Sequence, residues 1–346
     1  MVVTFGEVLL RLSPPGFQRL EQTDTLRLHA GGAEANAAVA LARWGVPSRF
    51  VSRLPTNALG RQALGELRRH GVDTQHVGFG PGRLGLYFYE HGAGARPSTV
   101  LYDRAHSSIT TLKPGEVDWD AALDGAAWLL TTGITAALGP NVLAVVNEAL
   151  AAARRRGVRV AMDLNYRAAL WSPQEAQAAL LPLMAFVDVC FAGREDAQQC
   201  LGFAAEDVGE HADAQVLLAA YDDLARRLID RFGFDTVALT VRQSHSAAHN
   251  AWQALARTAD GAAATSARYA LEIVDRVGGG DAFSAGMLRG LVLHGPRPNE
   301  AELAETLAFA AAASVLQQTT EGDASLSSVA EIDALARGHA SGRVVR

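Results

Sequence analysis

The sequence predicts an α/β protein built on a doubly wound sheet, with a small β excursion set apart from it. Three observations carry this. From Pro114 onward, short apolar strands alternate with amphipathic helices, the pattern of a parallel sheet covered on both faces. Residues 83–108 interrupt the alternation with two strand-like runs around a glycine-rich turn, which reads as a hairpin. One early and one late helix are each opened by glycines, Gly31-Gly32 and Gly278-Gly279-Gly280.

In chain order, Val2 to Leu10 reads as a first strand that Gly6-Glu7 breaks near its end. Residues 11–30, with Pro14-Pro15-Gly16, read as irregular and extended. Ala33, Ala37, Ala40, Leu41 and Trp44 recur at helical spacing, and Gly45 suits a C-cap. Ser48–Ser52 is a short strand, and Ala58–His70 a helix closed by Gly71. Strands at Ala127–Thr131, Val158–Asp163, Val187–Phe191 and Thr236–Val241 then alternate with helices near Pro140–Arg156, Pro173–Leu181, Glu195–Leu201 and Gln215–Phe232. Pro140 and Pro173 fit first helical turns, where the missing N–H has no partner to lose. Asn250–Arg257 and Arg268–Val274 are β-type, and helices at Gly280–Leu293, Asn299–Leu316 and after Ser327 complete the chain. No internal repeat or low-complexity linker divides it.

Composition excludes several classes. A net charge of −6, with no basic run beyond Arg154-Arg155-Arg156 at a helix end, gives no reason to expect nucleic acid. No apolar run approaches a membrane span, Leu307–Leu316 being too short, and the N-terminus lacks signal-peptide anatomy. Cys190 and Cys200 make no disulfide framework, so a cytoplasmic enzyme is expected. Lys113 is the only lysine, which removes both the Walker A loop and the protein-kinase lysine. Phosphate would have to meet arginine, backbone amides or a metal ion. A strand-linked GxGxxG is absent, which disfavours a nicotinamide dehydrogenase. His245 and His249 lack ligand-like neighbours, and no metal-ligating set is expected.

The stretch Val274–Gly286 carries the chemistry. A β-type segment runs into Gly278-Gly279-Gly280, then Asp281 in the first turn of a helix. Glycines let amides approach a ligand closely, and a helix N-terminus favours negative charge, so this is an anion site suited to phosphate. The plainer reading is a glycine turn with Asp281 as a cap.

The pair GGAEANAAVALARWG and DRVGGGDAFSAG resembles the two signatures of the PfkB (ribokinase-like) carbohydrate kinases, and the resemblance covers nearly the whole chain. It implies a three-layer ribokinase-like domain over 1–346, with a small β lid from about 11–30 and 83–108. Within the family the residues look most like 2-keto-3-deoxygluconate kinases: GGAEAN, then Tyr87 with Tyr102-Asp103-Arg104, then Asp163-Leu164-Asn165-Tyr166-Arg167. Arginine forks suit carboxylates, which makes Arg104 and Arg167 sensible for a sugar acid.

Carried over residue by residue, the resemblance implies Asp281 as base for the acceptor hydroxyl and Gly278, Gly279 and Gly280 as the anion hole. Gly32, Ala33, Glu34 and Asn36 would line the sugar pocket with Tyr87, Tyr102, Arg104, Arg167 and Asp323. Gly193, Thr240, Arg242, Ser244 and Ala311 would face the nucleotide. ATP and Mg²⁺ are implied as cofactors, the metal held mainly through phosphate and water, and a homodimer or higher homo-oligomer through the lid is expected. A helix N-terminus should lower the pKa of Asp281. Departures from the family are Arg276 after Asp275, Gly193-Arg194-Glu195-Asp196 where the magnesium motif stands (with Asp196 as its remaining acid), and a glycine-poor 240–246 loop. The rival readings are a fructokinase or other keto-sugar kinase of the same fold, and a non-catalytic sugar sensor.

Overall fold

The computed structural model describes residues 1–208 and 213–339. β1 (Val2–Phe5) lies in a large sheet, and the chain then leaves it for a small one as β2 (Leu9–Ser13) and β3 (Arg27–Gly31). α1 (Ala33–Arg43), β4 (Ser48–Pro55), α2 (Ala58–Arg69) and β5 (Val77–Gly80) return to the large sheet, and β6 (Gly85–Glu90) and β7 (Thr99–Asp103) complete the small one. Next come α3 (Trp119–Ala122), β8 (Trp128–Thr132), α4 (Gly133–Ala136), α5 (Pro140–Arg156) and β9 (Arg159–Asp163). α6 (Pro173–Leu180), β10 (Val189–Gly193), α7 (Arg194–Leu201), α8 (Ala214–Phe232) and β11 (Thr236–Ser244) continue the alternation. β12 (His249–Thr258), β13 (Ala263–Thr265) and β14 (Tyr269–Glu272) precede α9 (Gly279–His294), α10 (Glu300–Gln317) and α11 (Val329–Ala336).

The large sheet has the order β13-β12-β11-β10-β9-β8-β1-β4-β5, with β14 also on β12. Every pair from β11 to β5 is parallel, and β12 turns back antiparallel on β11. Alternate strand residues feed opposite faces, as strand geometry requires. Val160 and Met162 pack with α5, α6 and α8, whereas Ala161 packs on the other side with α1, α9 and α10. The result is a three-layer α/β fold with a separate four-stranded sheet, β3-β2-β6-β7. In that sheet β2 is antiparallel to β3 and parallel to β6, and β6 is antiparallel to β7.

Two expectations need correction. The first strand is not one strand but two in different sheets, and Gly6 sits at the break. A Cβ on Gly6 would fall 2.1 Å from the Glu34 carboxylate, so only glycine allows that approach. Residues 11–30 are not wholly irregular, because β2 runs on to Ser13 and β3 occupies 27–31. β3 gave little signal because it is a sheet edge whose Arg27 and Leu28 stay exposed, so no buried face imposes an alternating pattern.

Candidate active site

The C-terminal ends of β1, β8, β9, β10 and β11 open into a cleft of about 690 Å³, roofed by the inner face of the small sheet. Ligands of open α/β sheets bind outside these strand ends. Gly278 to Asp281 line the cleft where β14 has led into α9. Gly278 is the N-cap in the left-handed region, with φ 80°, and a Cβ there would lie 1.9 Å from the Asp323 carbonyl oxygen. A Cβ on Gly279 would crowd Gln318, whereas one on Gly280 would meet nothing within 4 Å. The backbone at Gly280 is therefore open to the cleft.

Asp281 accepts a hydrogen bond from Asn36 Nδ2 at 2.7 Å. Burial pushes its carboxyl up to about 6, only partly offset by the Asn36 bond and the Arg167 charge. The expected depression is thus reversed, because loss of solvation outweighs the favourable helix terminus.

The sugar-side candidates gather here, but several are engaged with one another. Gly32, Ala33, Glu34 and Asn36 all line the cleft from the start of α1. Glu34 Oε1 accepts from Thr132 N (2.9 Å), Thr132 Oγ1 (2.8 Å) and Thr135 Oγ1 (2.6 Å), which pins α1 to the β8–α4 turn. Burial lifts its carboxyl to about 7 despite those bonds. Tyr87 donates its hydroxyl to Asp323, and its ring lies 5.8 Å from that of Tyr102. Asp323 is only 3 % exposed, so it forms the floor of the cleft rather than a free acceptor. Arg104 forks onto Glu7 through Nε (3.0 Å) and Nη2, so one of the two expected carboxylate ligands already faces a protein carboxylate. Arg167 differs: its side chain is exposed and donates only to the neighbouring Tyr166 carbonyl, at 2.8 Å.

At the other end of the cleft lie Gly193, Thr240 and Arg242. Asp196 lines it too, but its carboxylate accepts from Gly193 N (2.8 Å) and Tyr166 N (2.9 Å), closing the start of α7. Ser244 faces a neighbouring pocket with Arg276 instead, and Ala311 is fully buried inside α10, away from the cleft. Asp163 accepts from Ser284 Oγ at 3.0 Å. Burial, then Asp196 and Asp281, pushes the Asp163 carboxyl well above the usual range. That pairing joins residues far apart in sequence and has no local signal. Among the described residues no group of three or more His, Cys, Asp or Glu could hold a metal ion.

A doubly wound sheet, a glycine-opened helix with a half-buried aspartate in its first turn, and a β roof over both make up the site. The profile of the pfkB family carbohydrate kinases matches residues 1–232, and the chain belongs to that family. It is 34% identical over 341 residues to a 2-dehydro-3-deoxygalactonokinase of Haloferax volcanii, covering 99% of this chain and 98% of that one. The crystal structure of a 2-dehydro-3-deoxygluconokinase from Thermotoga maritima superposes with a TM-score of 0.90 at 43% identity, covering 97% of this chain and 99% of the other. A fructokinase from Vibrio cholerae, solved with fructose, ADP and calcium ion, matches with a TM-score of 0.73 at 25% identity over 96% and 98% of the chains. The protein is a phosphotransferase with an alcohol group as acceptor. Among the described residues no helix is long and apolar enough to cross a membrane.

Proposed function

We propose that this kinase transfers the γ-phosphate of ATP to the primary 6-hydroxyl of 2-keto-3-deoxygluconate, as one kinase domain closed by the small β lid. The observation that carries the reading is the Asp281 carboxylate, held by Asn36, at the head of α9 with the exposed Arg167 near enough to lower its proton affinity. A carboxylate near pKa 6 is ionised at neutral pH yet basic enough to accept a proton. Asp281 orients the 6-hydroxyl and takes its proton as the new O–P bond forms and the β–γ bridge bond breaks, releasing ADP. The transition state is loose, so positioning and charge stabilisation dominate. The amides of Gly278 to Gly280 meet the developing phosphate charge. Arg167 binds the sugar-acid carboxylate, and Tyr87, Tyr102 and the Arg104–Glu7 pair shape the lid wall around it. Thr240, Arg242 and Gly193 take the nucleotide side.

Magnesium fits this site without a protein cage. Asp196 and Asp281 already raise the proton affinity of Asp163, so a cation near them relieves repulsion. With no three-residue ligand group among the described residues, phosphate oxygens and water would complete its shell. When bound, it neutralises charge shared between the β- and γ-phosphates.

The test is ADP release with MgATP, comparing 2-keto-3-deoxygluconate, its galacto epimer and fructose, with Asp281→Asn as control. Turnover confined to the sugar acids supports the reading, and the ratio of the two epimers sets the substrate. Faster turnover of fructose would remove the carboxylate role of Arg167 while keeping the base.

A further inference from the structure

Behind the glycine loop sits a buried cation that the reaction above does not use. Arg11, on β2, is 0% exposed and does not line the cleft. Its Nη2 lies 2.6 Å from Asp275 Oδ2, and its Nη1 3.3 Å from Asp323 Oδ1. Nε donates to Ser13 Oγ at 2.7 Å, and Nη2 lies 3.3 Å from His91 Nε2. The guanidinium carbon stands 4.3 Å from the centroid of the Tyr89 ring. Ser13, Tyr89 and His91 belong to the lid sheet or its edge, whereas Asp275 and Asp323 belong to loops of the main body.

Asp275 passes this restraint to the glycines. It accepts from the backbone N–H of Val277 at 3.1 Å and of Gly322 at 3.1 Å. Gln317 Nε2 closes the same knot by donating to the carbonyls of Val277 (3.0 Å) and Gly322 (2.7 Å). Gly278 follows directly, pressed against the Asp323 carbonyl. One buried guanidinium therefore ties the lid strand to both loops that frame the N-terminus of α9.

We infer that Arg11 is a positioning residue for phosphoryl transfer, holding the 275–280 turn and Asp281 in register with the lid. The inference rests on the glycines and Asp281 being the phosphoryl-transfer machinery. The planar fork matters as much as the charge. It presents separate donors to Asp275, Asp323 and Ser13 at once, which a lysine ammonium on a flexible stem cannot reproduce. A small displacement at the reacting atoms costs rate strongly, whereas Arg167 on the sugar-acid side and Gly193, Thr240 and Arg242 on the nucleotide side make no contact with Arg11.

Arg11→Lys tests this, because it keeps the positive charge and loses the fork. The expected result is a folded protein whose kcat falls at least tenfold, with KM for ATP and for the acceptor changed less than threefold. Amide hydrogen exchange across 274–282 should rise in the same variant without any substrate. A smaller fall in kcat, a loss residing in KM, or unchanged exchange across 274–282 overturns the inference. If Arg11→Lys does not fold, Arg11→Gln/Asp275→Asn, which leaves no unpaired charge at Asp275, carries the same readouts and thresholds. The exchange measurement needs no acceptor, so it decides the role of Arg11 even if the proposed sugar proves wrong.

Discussion

At Asp281 the requirements of the proposed base and of stability oppose each other. Burial raises its folded-state pKa from 3.8 to about 6, so the folded protein holds this proton more tightly than the unfolded chain. The sign follows from linkage. The contribution to stability is complete below about pH 4 and is lost as pH rises through about 6. At pH 8 the ionised carboxylate of this proposed base is a net cost to stability. Asp281→Asn should therefore lower kcat on the order of 10²–10⁴-fold. The same change should stabilise the protein at pH 8 by about 1–2 kcal/mol, a figure reduced from the full shift because the cleft admits solvent. Thermal melts at pH 5 and pH 8 check this; a variant less stable than wild type at pH 8 would show that the Asn36 bond outweighs desolvation. The wild-type kcat/KM should also fall about tenfold per pH unit below about pH 6. A profile flat down to pH 5 would assign the base elsewhere. Arg167→Ala should raise KM for a sugar acid about 10–100-fold, the range of one charged hydrogen bond, and leave that for ATP nearly unchanged.

The first turn of α9 separates two kinds of glycine. Gly278 is required by the fold, since it combines φ 80° with a contact that a Cβ would overrun at the Asp323 carbonyl. Gly278→Ala should lose at least about 1–2 kcal/mol of stability from backbone strain alone. Gly280 has open space at its Cβ position and sits inside the helix. Gly280→Ala should be as stable as wild type, or up to about 1 kcal/mol more so, yet lose activity about 10–100-fold as the methyl group enters the phosphate approach. A Gly280→Ala enzyme with full kcat would remove these amides from the proposed anion hole. The same turn marks what was legible in the sequence. α5 begins at Pro140 and closes at Gly157, in the left-handed region with φ 69°, as proline and glycine chemistry dictates. The glycines before Asp281 and the alternation of β8 to β11 carried the fold in the same way. Illegible were the pairings across the cleft: Arg104 with Glu7, Tyr87 with Asp323, and Asp163 with Ser284. Each joins segments far apart in the chain, and no local pattern reports which of two possible partners an arginine will face.

At the scale of the molecule, the outer face of the lid packs on the main body at Leu10, Ala30 and Leu86, and beyond them it is open among the described residues. Register aligns Leu28, Leu12, Phe88 and Leu101 in one row across all four strands of the small sheet. Leu28 is 43% and Leu101 61% exposed, and every residue of β7 is exposed along a free sheet edge. The inner face, by contrast, carries Leu9, Arg11, Tyr87 and Tyr89, all buried. An apolar row beside an unpaired edge is a surface that soluble proteins cover. A second copy of the chain is the partner we propose, since two such lids supply both an apolar row and an edge strand from each side. Four side chains alone fall short of the roughly 800 Å² per partner of a stable interface, so pairing along β7 has to contribute. Light scattering should find a dimer or higher homo-oligomer at micromolar concentration, and Leu28→Arg/Leu101→Arg should convert it to monomer. Because the lid also roofs the cleft, the monomer should show a raised KM for the acceptor, with Asp281 and its glycines undisturbed. A wild-type protein that is monomeric at 100 µM would sink this reading, and the row would then belong to another partner's docking site.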